Sequence, residues 1–194
     1  MKVIVGLGNP GAEYERSRHN VGWWALDHLA GVWHLDGWKK DGQAMVAAGT
    51  ARGVHVRLVK PLTYMNLSGA VLKPYLRRAG WNAATDLLVV TDDVAIPVGT
   101  FRVRARGSAG GHNGLKNIQA ALNSQEYARL RIGIRPEDER RLGGDLADFV
   151  LDDFGKREAV LVEDLLPKVG DAVECWVKEG VEAAMNKFNR DGRQ

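Results

Sequence analysis

The sequence predicts an α/β fold: one three-layer α/β/α domain around a mixed, mostly parallel twisted sheet. The domain is expected to span residues 1–188, with a polar tail at 189–194. Three observations predict this. Apolar runs at Val3–Val5 and Leu87–Thr91 are continuous rather than alternating, as in strands buried on both faces. Segments of helical periodicity fall between strand-like segments. The 194 residues contain no repeat, low-complexity tract or linker, and that length suits a single sizeable core.

Composition narrows the class further. The chain is 45% hydrophobic and 26% charged, with a net charge of +3. Such a mild excess of base means that any nucleic-acid footprint must be local. A lone cysteine, Cys175, excludes an internal disulfide and a cysteine-rich zinc site. No apolar run reaches membrane-spanning length and no signal-peptide pattern opens the chain, so a cytoplasmic location is the default.

Taken in order, residues 2–8 read as a central parallel strand ending in the glycine turn Gly6-Leu7-Gly8-Asn9-Pro10-Gly11. Asn20 is placed to cap a helix over 21–33, whose apolar face carries Val21, Trp24, Ala25, Leu29 and Val32. Residues 44–51 and 54–59 flank Arg52-Gly53 as a hairpin. Asn66 is placed to cap a helix over 67–79. Leu87–Thr91 is a second buried strand, closed by Asp92-Asp93. Residues 100–106 alternate, with Phe101, Val103 and Ala105 on one face and Arg102, Arg104 and Arg106 on the other. The glycine-rich 107–112 precedes a helix over 113–122, and Leu130–Ile134 is a strand. The PEDERR segment 136–141 reads as a solvated loop. Beyond Phe154 the pattern is helical, with a kink or break expected at Pro167 and fraying past Lys187.

Gly6-x-Gly8-x-x-Gly11 after a strand matches a dinucleotide fingerprint. That fold needs a helix to begin inside the motif, with free N–H groups facing a pyrophosphate. Here Pro10 removes a donor, Glu13 and Glu15 would repel phosphate, and no apolar stripe follows. The better reading is a tight turn that holds Asn9 at the carboxyl end of a central strand.

His19 and Asp92 both belong at carboxyl-end loops, where they can meet. A carboxylate paired with an imidazole fixes its tautomer and stabilises the imidazolium. The same patterns also describe an inert surface histidine and a turn that ends a strand. None of Ser17, Ser68, Ser108 or Ser124 sits in a nucleophile elbow, and the histidines show no zinc spacing. If His19 is a base, elimination leaves it activating water directly, which suits an activated ester. Asn9, Asn66 and Asn113 are neutral donors for a carbonyl or oxyanion, or simply caps and turn residues. Arg102, Arg104, Arg106 and Lys116, beside free amides at 107–111, form a plausible phosphate grip; a solvated strand face is the alternative.

At these residues the chain resembles the bacterial peptidyl-tRNA hydrolase family. The resemblance rests on five blocks in order: Val5–Gly11, Tyr14 with Arg18–Gly22, Lys60–Gly69, Gly107–Leu115 and Leu130–Ile134. It implies cleavage of the ester between a peptide and the 3′ end of tRNA by a monomer that needs no cofactor or metal. It implies His19 as general base and Asp92 as its orienting partner. Asn9 and Asn113 would lie near the ester, Asn66 on the peptide side, Tyr14 and Met65 along the peptide cleft, and His112 and Lys116 beside it. Arg102 and Arg104 fall where the family has basic residues for the acceptor stem. Two positions depart from the family pattern, Ala95 in place of an acid and Thr91 in place of a histidine. A non-catalytic RNA-binding relative of the same fold is the alternative.

Overall fold

The computed structural model describes residues 1–190. Its strands are β1 (Lys2–Gly6), β2 (Lys39–Asp41), β3 (Ala44–Ala51), β4 (Val54–Pro61), β5 (Leu87–Pro97), β6 (Phe101–Arg104) and β7 (Ala128–Arg135). Its helices are α1 (Val21–Val32), α2 (Lys73–Leu76), α3 (Ala83–Asp86), α4 (Asn113–Leu122), α5 (Leu146–Leu151), α6 (Lys156–Glu179) and α7 (Val181–Phe188). The strands form one sheet in the order β2-β3-β4-β1-β5-β7-β6. The four central strands, β4-β1-β5-β7, run parallel, while β2, β3 and β6 pair antiparallel at the flanks.

Continuous apolar sequence becomes two-sided burial, as expected for a parallel centre. Ile4, Leu88 and Val90 face a core built with α1, α6 and α7. Val3, Val5, Leu87 and Val89 face the opposite core with Leu72, Tyr75, Leu115 and Ile118. Helices therefore cover both faces of the sheet. At the β3–β4 hairpin Ala51 pairs with Val54. The connecting Arg52 and Gly53 both take positive φ, the backbone of a tight two-residue turn.

Several local expectations are corrected. The segment after Asn66 is not one α-helix but a 3₁₀ run over Met65–Leu72 that leads into α2, so Asn66 caps nothing. β5 does not stop at Asp92. It continues through a register shift to Pro97, which leaves Asp92 inside a paired strand. β6 ends at Arg104, so Arg106 lies beyond the sheet. α6 runs through Pro167 as one element, and the break comes instead at Gly180, whose φ of 91° ends the helix. PEDERR carries a short 3₁₀ turn, Glu139–Leu142, whose Arg141 pairs with Glu158 at 2.9 Å. Fraying does not reach Phe188 or Asn189. Phe188 packs on Phe101, and the Asn189 carboxamide makes two bonds of 2.9 Å with the Val103 backbone. Residues 191–194 of the expected tail lie outside the described residues.

The glycines of the first turn are explained by packing. A Cβ on Gly8 would meet the Trp23 indole at 2.7 Å, and one on Gly6 would meet Gly22 O at 2.6 Å. These glycines let α1 approach β1, which sets the height of the turn carrying His19. Gly22 is the tightest point from the helix side. An alanine methyl there would sit 2.6 Å from Val90 O and 2.7 Å from Leu7 O, both backbone atoms. Gly22→Ala is expected to cost about 1–3 kcal/mol of stability, read from urea unfolding; an unchanged midpoint would contradict this account of α1 docking.

Candidate active site

Residues Arg18–Asn20 form a 3₁₀ turn immediately before α1, and all three are buried. The turn is held from both sides. Arg18 donates to Phe149 O at 3.1 Å and Asp152 O at 3.3 Å, and its guanidinium meets Glu158 Oε2 at 3.1 Å. It also stacks on Phe149, 4.1 Å from the ring centroid. Arg18 thus ties the end of α5 and the start of α6 to the residue preceding His19.

His19 and Asp92 meet as the paired-loop reading requires. His19 Nδ1 lies 2.9 Å from Asp92 Oδ2. A carboxylate only accepts, so Nδ1 carries the proton and Nε2 keeps the lone pair. Burial works against a charged His19, but the Asp92 charge and hydrogen bond outweigh it and raise the imidazole above its ordinary 6.5. Burial likewise opposes ionisation of Asp92, yet the two imidazoles beside it hold its carboxyl well below the usual carboxylate range.

Asn9 is oriented by two neighbours. Its Oδ1 accepts from Met65 N at 2.7 Å, so its Nδ2 is the end left for a ligand. Its backbone is clamped by Asn20, whose Oδ1 accepts from Asn9 N at 2.9 Å and whose Nδ2 donates to Asn9 O at 3.0 Å. Asn20 is therefore not the α1 cap its position suggests, and no side-chain cap is made there. Sequence reasoning missed this role because an Asn before a helix reads first as a cap.

Two cavities flank His19. One, of about 350 Å³, is lined by Asn9, Tyr14, Tyr64, Met65, Asn66 and Leu151. The other, of about 410 Å³, is lined by Asp93, Val94, Gly110, Gly111, Arg131 and Leu146. His19, Asn113, Ala147 and Val150 border both. The structure thus brings together His19, Asp92, Asn9, Tyr14, Met65, Asn66, His112 and Asn113. Two features carry no sequence signal: α5 as one wall of the cleft, and an Arg131–Asp93 ion pair in the second cavity.

His19, Asp92 and His112 offer ligand atoms within 4.8 Å of one another, close enough for a metal. The donor set opposes one. His112 Nδ1 accepts from Gly114 N and Leu115 N at 3.1 and 3.3 Å, so its proton is on Nε2, facing Asp92. Binding a cation through Nε2 would drive that proton onto the nitrogen that caps α4.

With this geometry, the sequence comparisons become specific. A family model described as Peptidyl-tRNA hydrolase matches residues 3–194. The chain belongs to the peptidyl-tRNA hydrolase family. It is 58% identical over 190 residues to the peptidyl-tRNA hydrolase of Gemmatimonas aurantiaca, covering 98% of this chain and 100% of that one. It is 43% identical over 189 residues to that of Bacillus cytotoxicus, covering 97% and 100%. The solved peptidyl-tRNA hydrolase of Acinetobacter baumannii superposes with a TM-score of 0.84 at 33% identity, covering 98% of this chain and 95% of that one.

The basic residues of this family member have different surroundings. Arg102 donates to Asn189 O at 2.9 Å and so fastens α7 to the sheet edge. Arg106 is exposed and lies 3.7 Å from Glu126. The first amides of α4, Gly114 N and Leu115 N, donate to His112 Nδ1. Arg104 remains exposed on β6, and Lys116 is exposed in the first turn of α4. From the β5–β7–β6 register, Arg104 lies about 14 Å from Asp92, two strands across and three residues along.

Removing the carboxylate separates the opposing effects on His19. In Asp92→Asn, burial acts without the charge that outweighs it, so the imidazole is expected to titrate below 6.5 in an NMR experiment. A midpoint that stays raised would show that Asp92 is not the cause.

Proposed function

We propose that residues 1–188 act as one hydrolase domain, a monomer without metal or cofactor, that cleaves peptidyl-tRNA at the ester joining the peptide to the 3′-terminal ribose. The observation that carries the reading is the 2.9 Å contact between His19 Nδ1 and Asp92 Oδ2, which commits the opposite ring nitrogen to accept a proton at the junction of two cavities. No helix among the described residues is long and apolar enough to cross a membrane, which agrees with action on tRNA in the cytoplasm.

In this reading the cavity with Tyr14, Met65 and Asn66 takes the peptide, and the cavity with Gly110, Gly111 and Arg131 takes the terminal nucleoside. His19 Nε2 removes a proton from water as the water oxygen attacks the ester carbonyl carbon. The carbonyl oxygen becomes an oxyanion within reach of carboxamide N–H donors, of which Asn9 Nδ2 is pre-aimed by Met65. Collapse breaks the bond to the 3′ oxygen, and the imidazolium returns the proton to that oxygen. The products are a peptide acid and free tRNA. Arg104 and Lys116 serve the acceptor stem as point contacts to phosphate, with Arg102 and Arg106 secondary.

An N-blocked aminoacyl-tRNA should be deacylated in the presence of a chelator. His19→Ala should lower kcat by about 10²–10⁴-fold with tRNA affinity nearly intact. Near-normal kcat would remove His19 from the mechanism, and dependence on added metal would overturn the metal-free reading. Arg104→Ala should raise KM and flatten the salt dependence of tRNA binding by about one phosphate contact; an unchanged slope would place phosphate elsewhere.

A further inference from the structure

The carboxylate that orients His19 has a second imidazole on it, and a place beside the peptide cleft leaves that contact unexplained. His112 Nε2 lies 2.7 Å from Asp92 Oδ1, while His19 Nδ1 occupies Oδ2. The direction of the His112 bond is set from behind. Its Nδ1 receives the backbone N–H groups of Gly114 and Leu115, and a nitrogen that accepts two N–H donors carries no proton in the neutral ring. The proton is on Nε2, so imidazole donates and carboxylate accepts. Thr91 Oγ1, 2.9 Å from the same nitrogen, lies beside this bond.

We propose that His112 is a positioning residue: the first turn of α4 locks it in one tautomer, and its fixed bond to Asp92 governs how firmly that carboxylate holds a proton on His19. The inference rests on His19 being the general base. Its physical basis has two parts. A carboxylate rotates broadly about its last torsion, and anchoring both oxygens to rings on different elements stops that rotation. A donor on Oδ1 also draws charge from Oδ2, which weakens its grip on the His19 imidazolium and leaves more of the free base at neutral pH.

Among the described residues, the charged groups near this pair are engaged elsewhere. On β5 and β7, Asp93 is paired with Arg131. Arg18 is turned away to Glu158 on α6. From α5 the lining residues Leu146, Ala147 and Val150 are apolar, and Tyr14 and Tyr64 are the further titratable side chains in the peptide-side cavity.

Two substitutions separate the two nitrogens. His112→Asn puts an amide oxygen near the place of Nδ1, keeping a favoured helix cap, but cannot reach Asp92. His112→Gln puts an amide N–H near the place of Nε2 but loses the cap. NMR of the unmutated enzyme should show His112 as the Nε2–H tautomer. In His112→Asn the His19 proton dissociation constant should fall threefold or more while the α4 cap is kept. In His112→Gln that constant should stay near the parent value while Tm drops. A His112 proton on Nδ1, or a His19 titration that moves equally in both variants or in neither, would overturn the proposal. If the NMR shift appears in His112→Asn but the acid limb of kcat/KM does not follow it, the coupling of His112 to His19 ionisation holds and the reading of His19 as the base fails.

Discussion

The buried Asp92 carboxylate is the constraint around which the site is arranged. Asp92 is 4% exposed, and an ionised acid so far from water is sustained only by donors that replace its hydration. Here the donors are two ring nitrogens from different parts of the chain, His19 before α1 and His112 at the start of α4. Each ring is in turn fixed by backbone. The 3₁₀ turn of Arg18–Asn20 carries one, and the first amides of α4 hold the other. The pairing therefore does more than orient a base. It joins two helix N-termini to the central strand between them.

The rest of the fold serves that junction. Parallel strands β1 and β5 deliver Asn9 and Asp92 to the same end of the sheet, where open α/β folds form their clefts. Glycines at 6, 8 and 22 let α1 lie close enough for the His19 turn to reach β5. Arg18 then extends the reach of that turn in the other direction by fastening α5. The isolated six residues of α5 are too few for an independently stable helix. The wall of the cleft thus depends on a buried guanidinium next to the proposed base.

Much of this was legible in the sequence, for identifiable reasons. Buried parallel strands announce themselves as unbroken apolar runs, and the hairpin announces itself through Arg52-Gly53. His19 and Asp92 are expected in loops at one edge of the sheet, where they can meet, and they do meet although Asp92 lies within β5. What stayed hidden was long-range. Asn20 looks like a cap and instead clamps Asn9. His112 looks like a loop residue and instead donates to Asp92. Arg102 looks like a free surface charge and also holds Asn189. In each case a polar side chain has a local partner that its neighbours suggest, and a distant one that only the fold supplies. The charged stretch 136–141 hid Arg141 in the same way, since its partner Glu158 lies in α6, beyond α5.

The central claim is that the proton taken from water goes to an imidazole whose ionisation is set by Asp92. The most direct test measures one quantity in two ways in the same enzyme: the midpoint of His19 ionisation by NMR, and the midpoint of the acid limb of kcat/KM on an N-blocked aminoacyl-tRNA. The account predicts that the two coincide and that both lie above 6.5. A kinetic limb about a pH unit or more from the His19 midpoint would contradict it.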